Sequence, residues 1–468
     1  MACRVALILV AVLASGAAAI GQQTPPVQPR IQEAPLPAPV ELPPPPGANQ
    51  APDRPITANE AALIALRNQP DITVARAGIE AARGRVQQSR SALLPTVGAG
   101  LGYTRFESLT GGSGGGGGTV GLPGGGSVVA SPGYQASVNL RQLVFDFGRA
   151  RNQVRQAQAL ENASTANLTR AQADLVQLVK QAFYTYVQNT RLVDVNESNV
   201  RAQQAQVALA QARLNSGLGL PLDVVRAQTA VAQAIQALQV ARNNASISRV
   251  NLAATMGIDP RTPIRAADAD EPAIPVTEVN ALVTTALGQR PEVRQAKETV
   301  RAAELGLKVA RATNVPSLSA NLGLGGRGNS LIPNSTFASV GANIAWNPFD
   351  SGLTAGRTRE AQANLEAARA DLRNVELAVT SDVSQAYLNL KAAEQRVATA
   401  DAEVANAQES VRLAQGRFGG GLGIFIEVID AQNALLTART NRVNTLSAID
   451  QARAALARAI AAPLPTGP

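Results

Sequence analysis

The chain has 468 residues, only 3% of them aromatic and 16% charged, against about 25% charged in an average soluble domain. It has no histidine and one cysteine, Cys3, which excludes histidine bases, histidine metal sites and Ser-His-Asp triads and leaves no disulfide or thiolate site further along the chain. The net charge of +8 comes from dispersed arginines, with no basic run and no aromatic stacking signature, so nucleic acid is not expected as a partner and no cofactor is expected either.

Residues 1–19 read as a secretory signal: Arg4 is the positive n-region, Val5 to Leu13 a short apolar core, and Ala17-Ala18-Ala19 an A-x-A-like cleavage site. Beyond it no stretch approaches the ~20 apolar residues of a membrane-spanning helix, so residence in a membrane would require a β-barrel. Residues 20–55 are proline-rich, including Pro43-Pro44-Pro45-Pro46, and read as an extended tether.

From residue 56 the sequence is written twice, as 56–275 and 276–462, with a tail at 463–468. Pro70 aligns with Pro291 and Pro95 with Pro316, an offset of 221 (316 − 95); Asp146-Phe147-Gly148 aligns with Asp350-Ser351-Gly352, an offset of 204 (352 − 148). The 17-residue difference (221 − 204) falls where the first half carries the glycine-rich stretch Gly111 to Gly126. That stretch reads as an exposed loop, where a length change costs little. It is not a phosphate cradle, because no Gly-Lys-Ser/Thr follows.

Each half is expected to hold a helix, two strands, a very long helix, a turn and another helix. Strands are expected at about 95–106, 133–145, 316–327 and 336–347, from strict alternation: Val97, Ala99, Leu101 and Tyr103 in the first, Ala338, Val340, Ala342 and Ile344 in the last. A period of two over ~10 residues with one apolar face fits a transmembrane barrel wall, and also a soluble half-buried hairpin. Four strands are too few to close a barrel, so several copies would have to share one; three copies would give about twelve strands.

Val179, Tyr186, Val193, Val200, Val207 and Leu214 recur every seven residues, as do Val383, Leu390, Val397, Val404, Val411 and Phe418, the spacing of side-by-side supercoiled helices. A helix from about Arg149 to Leu214 would run roughly 100 Å. Glycine turns close the long helices at Gly217-Leu218-Gly219 and Gly421-Leu422-Gly423.

The signal, the duplicated helix–hairpin–helix plan and the glycine-tipped turns together resemble the TolC-type outer-membrane efflux protein family, over about residues 56–460. The most specific stretches are Arg213-Leu214-Asn215-Ser216-Gly217 with Asp223, and Arg417-Phe418-Gly419-Gly420-Gly421 followed by Glu427-Val428-Ile429-Asp430. The resemblance implies a mainly α fold with a membrane β-barrel portion. It implies a homotrimer that forms a shared 12-stranded β-barrel, in contact with outer-membrane lipid, and a long periplasmic α-helical barrel. It also implies docking of the hairpin tips (Arg213, Gly217, Leu218, Gly219, Arg417, Phe418, Gly421, Leu422, Gly423) to a periplasmic adaptor, or membrane fusion protein, that serves an inner-membrane pump or secretion ATPase. Asp223, Glu427 and Asp430 match the acids that ring the periplasmic mouth in the family, and no residue is catalytic or metal-binding. Two positions depart from the best-known member: Gly423 stands in place of a gate arginine and Phe418 in place of a tyrosine. Read without the resemblance, the heptads also fit a surface or periplasmic structural coiled coil, and the Glu427–Asp430 pair a carboxylate-only enzyme.

Overall fold

In a computed structural model the described residues are 54–108, 119–121, 127–267, 271, 278–328 and 334–465. The expected signal, nearly all of the tether and most of the glycine-rich loop lie outside them. The first half comprises α1 (Ala58–Asn68), α2 (Pro70–Ser91), β1 (Thr96–Ser108), β2 (Thr119–Gly121), β3 (Ser127–Phe145), α3 (Arg149–Asn215) and α4 (Pro221–Thr255). The second comprises α5 (Val279–Gln289), α6 (Pro291–Arg311), a short 3-10 turn, β4 (Ser317–Gly328), β5 (Ser335–Ala345), α7 (Leu353–Gly419) and α8 (Phe425–Ala459). Mainly helical with a four-strand hairpin sheet, this is the expected fold of one protomer.

Two expectations need correction. The single leading helix of each half is two helices, α1/α2 and α5/α6. Pro70 and Pro291 occupy the first turn of the second member, and the residues before them, Gln69 and Arg290, are extended. Proline lacks the amide that would continue the first helix and pushes its predecessor out of the α region, yet it suits the start of a new helix. There is also a short extra strand, β2, paired with β3.

The sheet runs β1-β3-β4-β5, antiparallel throughout. Its register puts the alternating apolar residues on one face: Leu101 lies opposite Ala136, Val138 opposite Leu324, and Leu322 opposite Val340. Among the described residues no element covers that face, and Leu101 is 91% and Val340 85% exposed. The opposite face carries Ser137, Asn139, Asn321, Ser339 and Asn343 among glycines. At the helix end of the sheet four exposed aromatics gather in sequence, Phe145, Phe147, Trp346 and Phe349, with Phe145 and Phe147 edge-to-face at 4.8 Å. A bare apolar face bounded by aromatics is what a barrel wall presents to lipid.

Strand passes to helix by the same device in both halves. Asp146 accepts from the amides of Gly148 (3.1 Å) and Ala150 (2.6 Å), and Asp350 from those of Gly352 (3.2 Å) and Thr354 (2.8 Å). These carboxylates satisfy amides that the first turns of α3 and α7 leave without intrahelical partners. Phe147 and Ser351 take φ of 55° and 52° at the bend, a left-handed conformation costly for a bulky residue.

Below the sheet α3 packs on α2 and α4, and α7 on α6 and α8, while α6 and α8 also pack on α3 and so join the halves. The main core gathers α1 around Leu175, Val179, Phe183 and Tyr184 of α3, Leu252 of α4 and Met256 just past its end. Its counterpart gathers α5 around Val379, Val383 and Leu390 of α7 and Leu456 of α8. The heptad residues Val179, Val200, Val383, Leu390 and Phe418 are buried as the spacing requires. Glu271, in the connection between halves, is clamped by Lys180, by Tyr184 Oη (2.6 Å) and by Arg453, which donates to its carbonyl (2.9 Å); its own amide donates to Asp450 (3.0 Å).

Asp146→Ala should cost about 1 kcal/mol of stability, read as a lower midpoint of thermal unfolding in detergent; an unchanged midpoint would remove the capping role. Thr354, whose hydroxyl lies beside the Asp350 carboxyl and whose amide donates to it, holds that carboxyl below its ordinary pKa. Its contribution is therefore complete above about pH 4 and fades as the pH falls through the depressed folded value. Asp350→Asn should flatten that acid limb of the stability curve.

Candidate functional site at the hairpin tips

The turns that end α3 and α7 are built alike. After α3 the Leu218 amide donates to the Arg213 carbonyl (2.9 Å) and that of Gly217 to Leu214 (3.0 Å); after α7 Leu422 donates to Arg417 (2.9 Å) and Gly421 to Phe418 (3.1 Å). This is the crossed bonding of a Schellman-type cap, whose pivot needs a left-handed residue; Gly217 and Gly421 supply it at φ 77° and 76°. Gly219 is fixed by space instead, since a Cβ there would sit 2.7 Å from the Leu214 amide nitrogen.

The turns place matched apolar side chains outward. Leu218 and Leu422 are 74% and 80% exposed, and Leu220 and Leu222 in one turn, Ile424 and Ile426 in the other, are also exposed. Sequence reasoning named Leu218 and Leu422 but missed the other four, although the repeat alignment pairs Leu220 with Ile424 and Leu222 with Ile426.

Beneath the turns a shared core joins the two hairpins: Ala210, Val224 and Ala227 from one, Phe418, Phe425 and Val428 from the other. Phe418 and Phe425 pack as a tilted pair with ring centroids 5.3 Å apart. Arg213 crosses between hairpins. Its guanidinium donates to the carbonyls of Phe418 and Gly419 (3.2 Å to the latter) and lies 4.5 Å from the Phe418 ring centroid. Nothing in the residue pattern signals this contact. Its repeat partner Arg417 does something different, facing Glu427 at 3.9 Å within its own turn. Gly423 fits closely there, because a Cβ would lie 3.2 Å from a Glu427 carboxylate oxygen.

Asp223 and Glu427 stand in the first turns of α4 and α8, where a negative charge complements the helix dipole. Both are half-buried, and Asp430 is exposed one turn further along α8. Among the described residues no group of histidine, cysteine and carboxylate side chains is arranged to hold a metal.

The profile of the family described as "Outer membrane efflux protein" matches residues 63–258 and 282–462. The pyoverdine export outer membrane protein OpmQ of Pseudomonas putida is 26% identical over 413 residues, 85% of this chain and 84% of that protein. Protein CyaE of Bordetella pertussis is 28% identical over 422 residues, 86% of this chain and 83% of that one. Among solved structures, the outer-membrane channel OprN aligns with a TM-score of 0.76 at 22% identity, covering 87% of this chain and 91% of its own. The Campylobacter jejuni CmeC outer membrane channel aligns at 0.74 and 17% identity, covering 86% and 85%.

Arg213→Ala would strip the Phe418 and Gly419 carbonyls of their cross-hairpin donor, at a cost of about 1–3 kcal/mol. Amide exchange through Phe418–Gly423 should then quicken by about tenfold or more; unchanged exchange would show that Arg213 holds nothing there. With a matching profile across both halves and the fold of known channels, the chain belongs to the outer membrane efflux protein family and is a non-catalytic, TolC-type export channel of the outer membrane.

Proposed function

We propose that three copies of the chain assemble into one duct, their four-strand sheets closing a single barrel of about twelve strands in the outer membrane and their long helices forming a tube through the periplasm. The observation that carries this reading is the sheet itself. Among the described residues its apolar face is bare and its two outer strands, β1 and β5, each have one edge unpaired. Exposed backbone amides and carbonyls cannot remain at the edge of a membrane sheet, so closure must come from further copies. The polar face, with Ser137, Asn139, Asn321 and Asn343, would then line the lumen.

At the other end, the outward Leu218, Leu220, Leu422 and Ile424 would seat a periplasmic adaptor that links the duct to an inner-membrane pump or secretion ATPase. The energy for export would come from that transporter. Three copies of Glu427 and Asp430 around one axis would form acidic rings that favour cations, with Asp223 on the outer hairpin. Residues 1–19 would direct export of the chain, and the proline-rich 20–55 would act as a tether. Opening would move α7/α8 relative to α3/α4, and an adaptor that binds the open arrangement better would favour it. Arg213 would have to release Phe418 and Gly419 in that motion.

In planar bilayers the purified wild type should form a cation-preferring pore, and Glu427→Gln combined with Asp430→Asn should lower that preference severalfold. Failure of the wild type to conduct would contradict the duct. A double variant with unchanged selectivity would contradict the acidic rings.

A further inference from the structure

The helix ends nearest the sheet carry charge of one sign. In the first half Arg85 and Arg90 stand in the last two turns of α2, and Arg151 and Arg155 in the first two of α3. In the second, Lys308 and Arg311 end α6, and Arg357 and Arg359 open α7. All eight residues are exposed, and the one acid in those turns is Glu360. Among the described residues none of the eight forms an ion pair, whereas cations further from the sheet do: Arg83 with Glu80 and Glu161, Arg301 with Glu298, and Arg369 with Glu304.

Two of these positions recur through the duplication, each at the offset of its own segment. Arg90 matches Arg311, an offset of 221 (311 − 90), and Arg155 matches Arg359, an offset of 204 (359 − 155). Cations suit the C-terminal ends of α2 and α6, but at the starts of α3 and α7 they oppose the helix dipole. No acid stands in the first turn of α3 or α7, although α1, α2, α4, α6 and α8 each carry one there. Asp146 and Asp350 already hold amides at those two starts, which leaves the basic side chains to meet an anion. A local conflict of this kind, kept in both halves, marks a site that serves more than the stability of its helix.

We propose that these helix ends form a basic collar that binds the phosphate headgroups of anionic phospholipids at the membrane surface facing the helices. The collar rests on the shared-barrel reading, which puts the sheet in the bilayer, and adds the class of lipid that the duct selects. It continues the bare apolar face: first the strands, then the exposed aromatics Phe145, Phe147, Trp346 and Phe349, then the cations. Hydrocarbon, interface and headgroup follow one another in that order across a leaflet. Arg155 lies about 9 Å along the axis from the start of α3, and an arginine stem can lie along apolar surface while its head reaches back to a phosphate. The guanidinium meets phosphate through two parallel hydrogen bonds, and clustered basic residues beside a membrane segment recognise anionic lipid.

Trp346 is the single tryptophan of the sequence. It is 59% exposed and continues the alternation of Ala342 and Ile344 on the apolar face, so its fluorescence reports the lipid beside the collar. In phosphatidylcholine bilayers holding the purified protein, a small fraction of brominated phosphatidylglycerol should quench Trp346 several times more than the same fraction of brominated phosphatidylcholine. Salt at about 1 M, which shortens the screening length to about 3 Å, should remove most of that difference. Arg90→Gln, Arg155→Gln, Arg311→Gln and Arg359→Gln together should also remove it, while the corresponding four Arg→Lys changes should keep it. Equal quenching of the wild type by the two lipids would overturn the collar and leave the barrel standing. A preference that survives in the glutamine variant would overturn its assignment to these residues. No quenching by either lipid would put Trp346 outside the bilayer and contradict the shared barrel as well.

Discussion

A backbone placed in lipid must have its hydrogen bonds satisfied, and among the described residues of a single chain one edge of β1 and one of β5 are unpaired. The arrangement of the membrane end follows from that constraint. In the proposed barrel the alternation gives one apolar face for lipid and one polar face for water. Phe145, Phe147, Trp346 and Phe349 stand where the sheet ends, and in the proposed barrel they would lie at the membrane interface that aromatic rings favour. The aspartates at 146 and 350 then turn strand into helix by holding the first amides of α3 and α7.

Helices of 67 residues, about 100 Å long, cannot bury their stripes within one globule. They bury them against shorter helices in pairs, and a proline marks the start of α2, α6 and α4. The two hairpins differ from each other in how they are held. The cores beneath α1 and α5 are apolar, but the α3–α8 seam carries polar contacts, Gln188 with Asn444 and Arg439 with Ser198, and at the tips Arg213 of α3 reaches the Phe418 carbonyl of α7. Each such contact exchanges a bond to water for a bond within the protein, with a modest net gain of about 0.5–1.5 kcal/mol. Separating the hairpins would exchange those bonds for bonds to water, but would also expose the apolar core that Val224, Phe418 and Phe425 share at the tips.

Most of the fold was legible in the sequence because duplication doubles every signal. The proline and Asp-x-Gly landmarks recur at fixed offsets, the strand alternation appears four times, and α3 begins at Arg149 as expected and ends one residue beyond Leu214. The division of the leading helices at Pro70 and Pro291 was overlooked, although proline is the strongest local sign of such a break. The tip turns were legible from Gly217 and Gly421. What Arg213 does was not, because Arg213 and Arg417 hold equivalent places in the repeat and only packing decides that one crosses to Phe418 while the other faces Glu427. Likewise, Phe183 and Tyr184 lie outside the seven-residue stripe, and their burial depends on α1 and on the Glu271 connection.

The central claim is that the chain becomes a duct only by sharing its sheet with other copies. The most direct test is the protein mass of the outer-membrane species extracted in detergent, measured by light scattering with the detergent contribution removed. A mass of three chains is the predicted result. A stable monomer would leave both sheet edges unpaired in the membrane and would contradict the account.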